Sequence, residues 1–303
     1  MRYVRWAGQW FFLRLENLFN VIFGDRLNPL YHLGAIAYLM TWIAVATGVY
    51  LYAFFDTGVK EAYASVERIS HEHWYIGQIM RGLHRYASDG MVLAMGLHML
   101  RHFVFDHYRG FRWFSWVTGI FVLWLVYASG INGFMLPWDR LAQFVTIATA
   151  EWLDWLPIFS EPMARNFLQE GSVNDRLFSL LAFMHIGISL ILLLVLWVHT
   201  QRVAKAETNP PRYLAFPLLL ALIVLSLVWP VMSQGPANLN TLVTSLQIDW
   251  FYLPIFPLIY VWSPKEVWWL VLGGTGLLVL LPWLPPVRRA ATREFQLTLR
   301  PGD

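Results

Sequence analysis

The stretch 81–101 reads RGLHRYASDGMVLAMGLHMLR and places His84 and His98 fourteen residues apart, with an almost wholly apolar run leading up to His98. At 3.6 residues per turn, fourteen residues make almost four whole turns, so both imidazoles leave one helix face at depths roughly 21 Å apart. That rise is most of the thickness of a bilayer's hydrocarbon core. A second stretch, HIGISLILLLVLWVH at 185–199, repeats the spacing with His185 and His199. An ionisable side chain at membrane depth is costly unless it is paired or coordinated. Two helices that run the same way and carry histidines at matching depths are therefore expected to hold two metal centres, stacked across a membrane.

The ligand type narrows the metal. Neutral imidazole is a good axial ligand for haem iron. Zinc and di-iron sites need further ligands or carboxylates, which neither histidine pair has beside it. The expectation is two non-covalent haem b groups, one held by His84 and His185, the other by His98 and His199. A lone histidine in an apolar helix is more often a core residue bonded to a neighbour; the paired spacing sets these four apart. Glycines give an independent check, since Gly34 and Gly48, and Gly119 and Gly133, are also fourteen residues apart. A flat macrocycle pressed between helices needs small residues where it nears backbone. Ordinary small-residue helix packing is the competing reading of each glycine taken singly.

Composition agrees with a membrane setting. Of 303 residues, 57% are apolar and 17% aromatic, and the mean hydropathy is +0.48. A soluble domain of this size does not need so much apolar residue. The sequence has no cysteine, which excludes disulfides, thiolate-held iron–sulfur clusters and thioether-linked haem in this chain. A net charge of +3 is too small to point to nucleic acid. The opening MRYVRWAGQWFFLRLENLF is basic and amphipathic, without a long apolar core or a small-residue cleavage site. It reads as an interfacial helix lying on lipid rather than a signal peptide.

Apolar runs of spanning length occur at 33–55, 82–103, 114–136, 177–199, 213–232 and 267–284, here called spans A to F. Fourteen of the 22 Lys and Arg residues fall in the N-terminal segment, the B–C link, the D–E link and the tail. The opposite links hold most of the acids, including Asp56, Glu61, Glu67, Glu72, Asp139, Glu151 and Asp175. The positive-inside rule then puts both termini in the cytoplasm of a multi-pass cell (inner) membrane protein. The expected fold is all-α and integral to the membrane, with six transmembrane helices. Residues 1–32 form the cytoplasmic interfacial helix and 33–203 a four-helix di-haem bundle of A to D. Residues 204–303 supply the last two spans and an outer-side loop. Within that loop IDWFYLPIFPLIY, 248–260, is too short and too broken by proline to span, so a re-entrant or interfacial element is expected.

These elements together resemble cytochrome b of the Rieske/cytochrome b (cytochrome bc) complex family, in a divergent form shortened at its C-terminus. The similar parts are the paired glycines of A and C, the 81–101 and 185–199 motifs, and the LPWD turn at 136–139. They reach across A to F. The resemblance implies a low-potential haem on the outer side and a high-potential haem on the inner side. It implies that Arg81 and Arg101 pair with haem propionates, and that Asn209 and Pro210 match the pair preceding span E. It also implies quinone sites near both surfaces.

The sequence departs from the family at those sites. The family's outer quinol site carries a Pro-Glu-Trp-Tyr element, and here 248–251 is Ile-Asp-Trp-Phe. Asp249 keeps a carboxylate, the candidate quinol proton acceptor, but reaches one methylene less; a solvated loop acid is the competing reading. Val145 stands where the family often has glycine, and Ala204 where many relatives have a quinone-binding histidine. His32, Arg202, Lys205 and Arg212 offer polar groups for an inner quinone site, against the alternative that the cations anchor to lipid headgroups. Asp89, inside span B, reads equally as a proton relay or as a neutral acid bonded to a neighbour, and His71 with His73 reads as a solvated loop pair, against the alternative of a metal or proton site.

The function expected is the di-haem b subunit of a membrane quinol/quinone oxidoreductase, with quinone or quinol as substrate. Its expected partners are a Rieske iron–sulfur protein, a c-type cytochrome or a dehydrogenase subunit, a separate subunit supplying further helices, and a second copy in a homodimer within a larger complex. One alternative keeps the haems but drops bifurcation, making the chain a conduit for a different dehydrogenase or multihaem cytochrome complex. Another is a structural anchor or transporter with unused haem sites.

Overall fold

A computed structural model of the chain describes residues 2–158, 162, 164, 173–203 and 206–284. Lys205, Ala204 and the basic tail beyond 284 lie outside the described residues. Among the described residues the regular structure is helical, apart from one isolated bridge between Asp139 and Pro236. Ten α-helices are numbered here in chain order. The chain is an all-α, multi-span membrane protein.

Among the described residues, four stretches are long and apolar enough to cross a bilayer: Leu33–Phe54, Gly110–Met135, Asp175–Gln201 and Pro264–Trp283. They contain α2 (Leu33–Phe54), α5 (Trp113–Met135), α7 (Asp175–Gln201) and α10 (Pro264–Leu280). Six were expected, and the other two differ for separate reasons. Helix α4, Trp74–Val104, has 31 residues and is long enough at about 46 Å, but Arg81, Arg85, Asp89 and Arg101 interrupt its apolar run. Helix α8, Arg212–Val228, is apolar but has only 17 residues, about 26 Å against a core of about 30 Å.

The helices pack as α2 along α4 and α5 along α7, with α8 against the other side of α4. Ala87, Met91, Met40, Val126 and Leu192 are buried between them. Phe121, Leu194, Trp197 and Phe216 are exposed on the outer faces, a surface suited to lipid. At the bundle end that carries His98, α1 (Arg2–Phe23) lies against α4. Phe12 is fully buried there, Gln9 donates to the Val104 carbonyl at 2.7 Å, and Arg101 donates to Glu16 at 2.9 Å.

Two of the links between spans contain helices, α3 (Glu61–His71) and α6 (Arg140–Asp154). Asp139 explains the start of α6: one carboxylate oxygen accepts from the Ala142 N–H at 2.8 Å and the other from the Gln234 N–H, also at 2.8 Å. The cap of α6 thus also fixes the segment that follows α8. That segment runs irregularly to α9 (Ile255–Val261), a seven-residue helix packed on α6, and it buries Tyr252, Leu253 and Phe256. Ser263 and Glu266 form a reciprocal capping box, with Pro264 at the first helical position, and so start α10.

Candidate functional site

Each of the four paired glycines faces one of the four histidines. A Cβ built on Gly48 would stand 3.1 Å from His84 Cε1, and one on Gly133 would stand 2.9 Å from His185 Cε1. At the other end of the bundle Gly34 meets His98 at 3.1 Å and Gly119 meets His199 at 3.3 Å. These distances are at or below the tight end of real Cβ contacts, so a side chain on any of the four glycines would push an imidazole out of place. The rings therefore lie in glycine notches, those of α2 receiving the α4 histidines and those of α5 the α7 histidines.

Hydrogen bonds fix which ring nitrogen is free. His84 Nδ1 lies 2.8 Å from the Ala44 carbonyl and His185 Nδ1 lies 2.9 Å from the Ser129 carbonyl. A carbonyl only accepts, so Nδ1 carries the proton in both rings and Nε2 is left with its lone pair. The ring centroids are 6.1 Å apart, close enough for the two rings to share one metal atom. At the other end Thr118 Oγ1 is 3.0 Å from His199 Nδ1, and the Ser115 backbone also bonds that ring. His98 is an electrostatic neighbour of His199 and packs edge-on against His102 at 4.4 Å. The donor set and the glycine notches fit a flat macrocycle whose metal His84 and His185 would hold at one end and His98 and His199 at the other. No group of three His, Cys, Asp or Glu that could hold a bare metal ion occurs among the described residues. His71 reaches Glu67 and His73 reaches Tyr50, so that pair does not converge.

His84, His185, Gly48 and Gly133 line one cavity of about 860 Å³, which takes in the space a macrocycle between the two rings would fill. Asp249, Tyr252, Arg85 and Phe134 line it as well. Asp249 is not a solvated loop acid: only 8% of its surface is exposed. Its Oδ1 accepts from the N–H groups of Phe251 at 2.6 Å and Tyr252 at 3.0 Å, and its Oδ2 is ion-paired to Arg85. Arg85 is also paired to Asp89, one helical turn further along α4, and its guanidinium lies 4.8 Å from the Phe134 ring centre. Tyr252 fills a notch at Gly130, where a Cβ would come within 2.0 Å of its ring. Its hydroxyl donates to the Ser88 carbonyl at 3.2 Å. The segment carrying Asp249 is thereby keyed between α4 and α5.

Other expected site residues are engaged by protein groups. Arg81 donates to Ser70 at 2.7 Å and Ser233 at 2.8 Å, while Arg101 bonds Glu16 and lies over the rings of Tyr31 and Phe105. His32 Nε2 is 3.0 Å from the Arg26 carbonyl and its Nδ1 is 3.3 Å from Glu207 Oε2. Arg202 lies over Phe114, and Arg212 is exposed at the start of α8. Sequence reading missed Arg85, Gly130, Glu16 and Glu207. Of these only Arg85 carried a signal, its four-residue spacing to Asp89 on one helix face.

Comparison with known proteins gives the context for this geometry. The family profile described as "Cytochrome b/b6/petB" matches residues 19–206, more than half of the chain. The menaquinol:cytochrome c reductase cytochrome b subunit of Bacillus subtilis (strain 168) is 31% identical over 129 residues. The match covers 40% of this chain and 57% of that protein, so the chain spans little more than half the length of this curated relative. Among solved structures, a chain of a "Hyperthermophilic respiratory Complex III" superposes with a TM-score of 0.67 at 19% identity, over 89% of this chain and 79% of that one. At that identity the likeness is one of fold.

Proposed function

This chain belongs to the cytochrome b family, and from that premise we propose that it is the di-haem b subunit of a membrane quinol/quinone oxidoreductase. The observation that carries the proposal is the fourfold pairing of Gly48, Gly34, Gly133 and Gly119 with His84, His98, His185 and His199. His84 and His185 would hold one haem b, and His98 and His199 the other. Bound haem would supply one-electron transfer between the two ends of the bundle. The chain's own residues do the rest. The backbone carbonyls of Ala44 and Ser129 keep two ligand rings in the tautomer that presents Nε2. Arg81 and Arg101, on α4 within one turn of His84 and His98, would pair with haem propionates in exchange for their present partners Ser70, Ser233 and Glu16.

In this proposal haem fills the part of the cavity lined by Gly48, His84, Gly133 and His185, the part lined by Ile248, Asp249 and Tyr252 receives quinol, and Asp249 Oδ2 takes its hydroxyl proton. A carboxylate has about four lone-pair sites, and the two N–H groups and Arg85 leave room for that proton. His32, Arg202, Lys205 and Arg212 would form a quinone site at the opposite end, with Glu207 beside His32. Domain limits of 1–32, 33–203 and 204–303, six spans with α4 and α8 included, a re-entrant 248–260 segment and cytoplasmic termini complete the reading. A Rieske protein, c-type cytochrome or dehydrogenase subunit would exchange electrons with it, in a homodimeric complex.

A second reading, a conduit that does not bifurcate electrons, is favoured by the engagement of both Asp249 oxygens and by Ile248 in place of a rigid proline. The deciding experiment is haem content per polypeptide with a redox titration of the purified protein. About two haems with separate potentials are expected. One haem or none would sink electron transfer through the bundle and bring forward the anchor or transporter reading.

A further inference from the structure

The charges around Asp249 include one that neither the haem sites nor a proton acceptor by itself requires. Arg85 is shared by two carboxylates, Asp249 from the segment after α8 and Asp89 from its own helix. The side chains of Arg85, Asp89 and Asp249 are only 27%, 16% and 2% exposed, so little water screens them. With both acids ionised the group carries one net negative charge. Adding a proton to Asp249 makes the group neutral and leaves Arg85 still paired, to Asp89. Without Asp89 the balance reverses. Arg85 and Asp249 alone form a neutral pair, and a proton on Asp249 then strands a buried guanidinium without a counter-ion.

We propose that Asp89 is a positioning residue that sets the proton affinity of Asp249 through Arg85, by supplying the counter-ion Arg85 needs when Asp249 is neutral. The inference rests on the reading of Asp249 as the quinol proton acceptor. The step it serves moves one proton from a quinol hydroxyl to Asp249 Oδ2, leaving the quinol oxygen anionic; no electron moves in that step.

Other charged or titratable groups on the cavity are occupied. Arg81 is held by Ser70 and Ser233, and Asp139 by the Ala142 and Gln234 N–H groups. His84 and His185 face each other across the proposed haem site. Tyr86 donates to the Trp229 carbonyl and Tyr252 to the Ser88 carbonyl. Asp89 is therefore the acid placed to compete with Asp249 for Arg85.

The test compares full-length, haem-loaded Asp89→Asn, Asp89→Glu, Asp249→Asn and Arg85→Gln with the parent protein. It follows the carboxyl infrared band that Asp249→Asn abolishes, and quinol turnover, across pH. In Asp89→Asn, Arg85 serves Asp249 alone and stabilises its ionised form. The midpoint of the band and the acid limb of turnover should both move to lower pH, by about tenfold or more in proton affinity. Asp89→Glu should restore both. In an Arg85→Gln background, Asp89→Asn should lose most of its effect. An unmoved midpoint in Asp89→Asn with haem content intact overturns the proposal, and so does an equal shift with and without Arg85. Turnover that survives Asp249→Asn would overturn the acceptor role of Asp249, while the infrared midpoints would still decide the coupling.

Discussion

The two ends of the bundle share one ligand register but differ in what surrounds it. At the His84–His185 end the rings face a cavity of about 860 Å³, with a buried arginine held between two acids. At the His98–His199 end α1 covers α4 through the Glu16–Arg101 pair, and His98 packs on His102. The histidine pairs are alike because one spacing on two helices generates both. The surroundings are unlike because they come from different parts of the chain, the segment after α8 at one end and α1 at the other. Proposed haem binding is thus a property of the helix pairs, and the proposed quinol access a property of what is added to their ends.

Single ligand substitutions should break the comparison most sharply. His84→Ala or His185→Ala should lower haem from about two to about one per chain, leaving the His98–His199 haem in the optical redox titration. His98→Ala should do the converse. Loss of both haems from either substitution would mean that the two ends are not independent.

The glycine notches should grade the effect. Gly133→Ala brings a Cβ to 2.9 Å from His185, whereas Gly119→Ala brings one only to 3.3 Å from His199. Overpacking of this kind costs about 1–3 kcal/mol, so Gly133→Ala should lose more of its haem. Equal occupancy in the two variants would argue that the macrocycle, rather than the notch, sets the fit.

Glu16→Ala bears on the other end alone. It leaves Arg101, three residues from His98, without its carboxylate partner, at a cost of about 1–3 kcal/mol. A lower unfolding temperature is expected, with a potential shift confined to the His98–His199 haem. A shift at both haems would show that α1 acts beyond its own end.

Thr118→Val should give the smallest change, about 1 kcal/mol or less, because the Ser115 backbone also holds His199. Electron paramagnetic resonance of the oxidised haems should then show a small reorientation at one site. A loss of haem would make Thr118 a principal support of that ligand.

Much of the proposed haem site was legible in the sequence because helix geometry turns spacing into position. Fourteen residues return a side chain to one face, so the four histidines and four glycines could be paired in depth before any packing was known. Hydropathy was less complete. Six apolar runs read as spans, and those of α2, α5, α7 and α10 are long and apolar enough to cross a bilayer, whereas the arginines and aspartate of α4 lower its apolarity and α8 is short. Hydropathy gave no sign that α3 and α6 interrupt the links, because both are short amphipathic helices that no spanning-length apolar run would reveal.

The sequence by itself determined a helical membrane chain with two stacked bis-histidine positions, for local periodicity is all that such positions require. Only the tertiary structure decided that Asp249 is buried, that Arg85 is shared with Asp89, and that Tyr252 sits in the Gly130 notch. Residues 85 and 249 are separated by most of the chain, and no periodic rule relates a helix face to an irregular segment. Their meeting depends on the Asp139 cap of α6, which anchors the segment after α8, and on a glycine that lets one tyrosine ring lie against backbone.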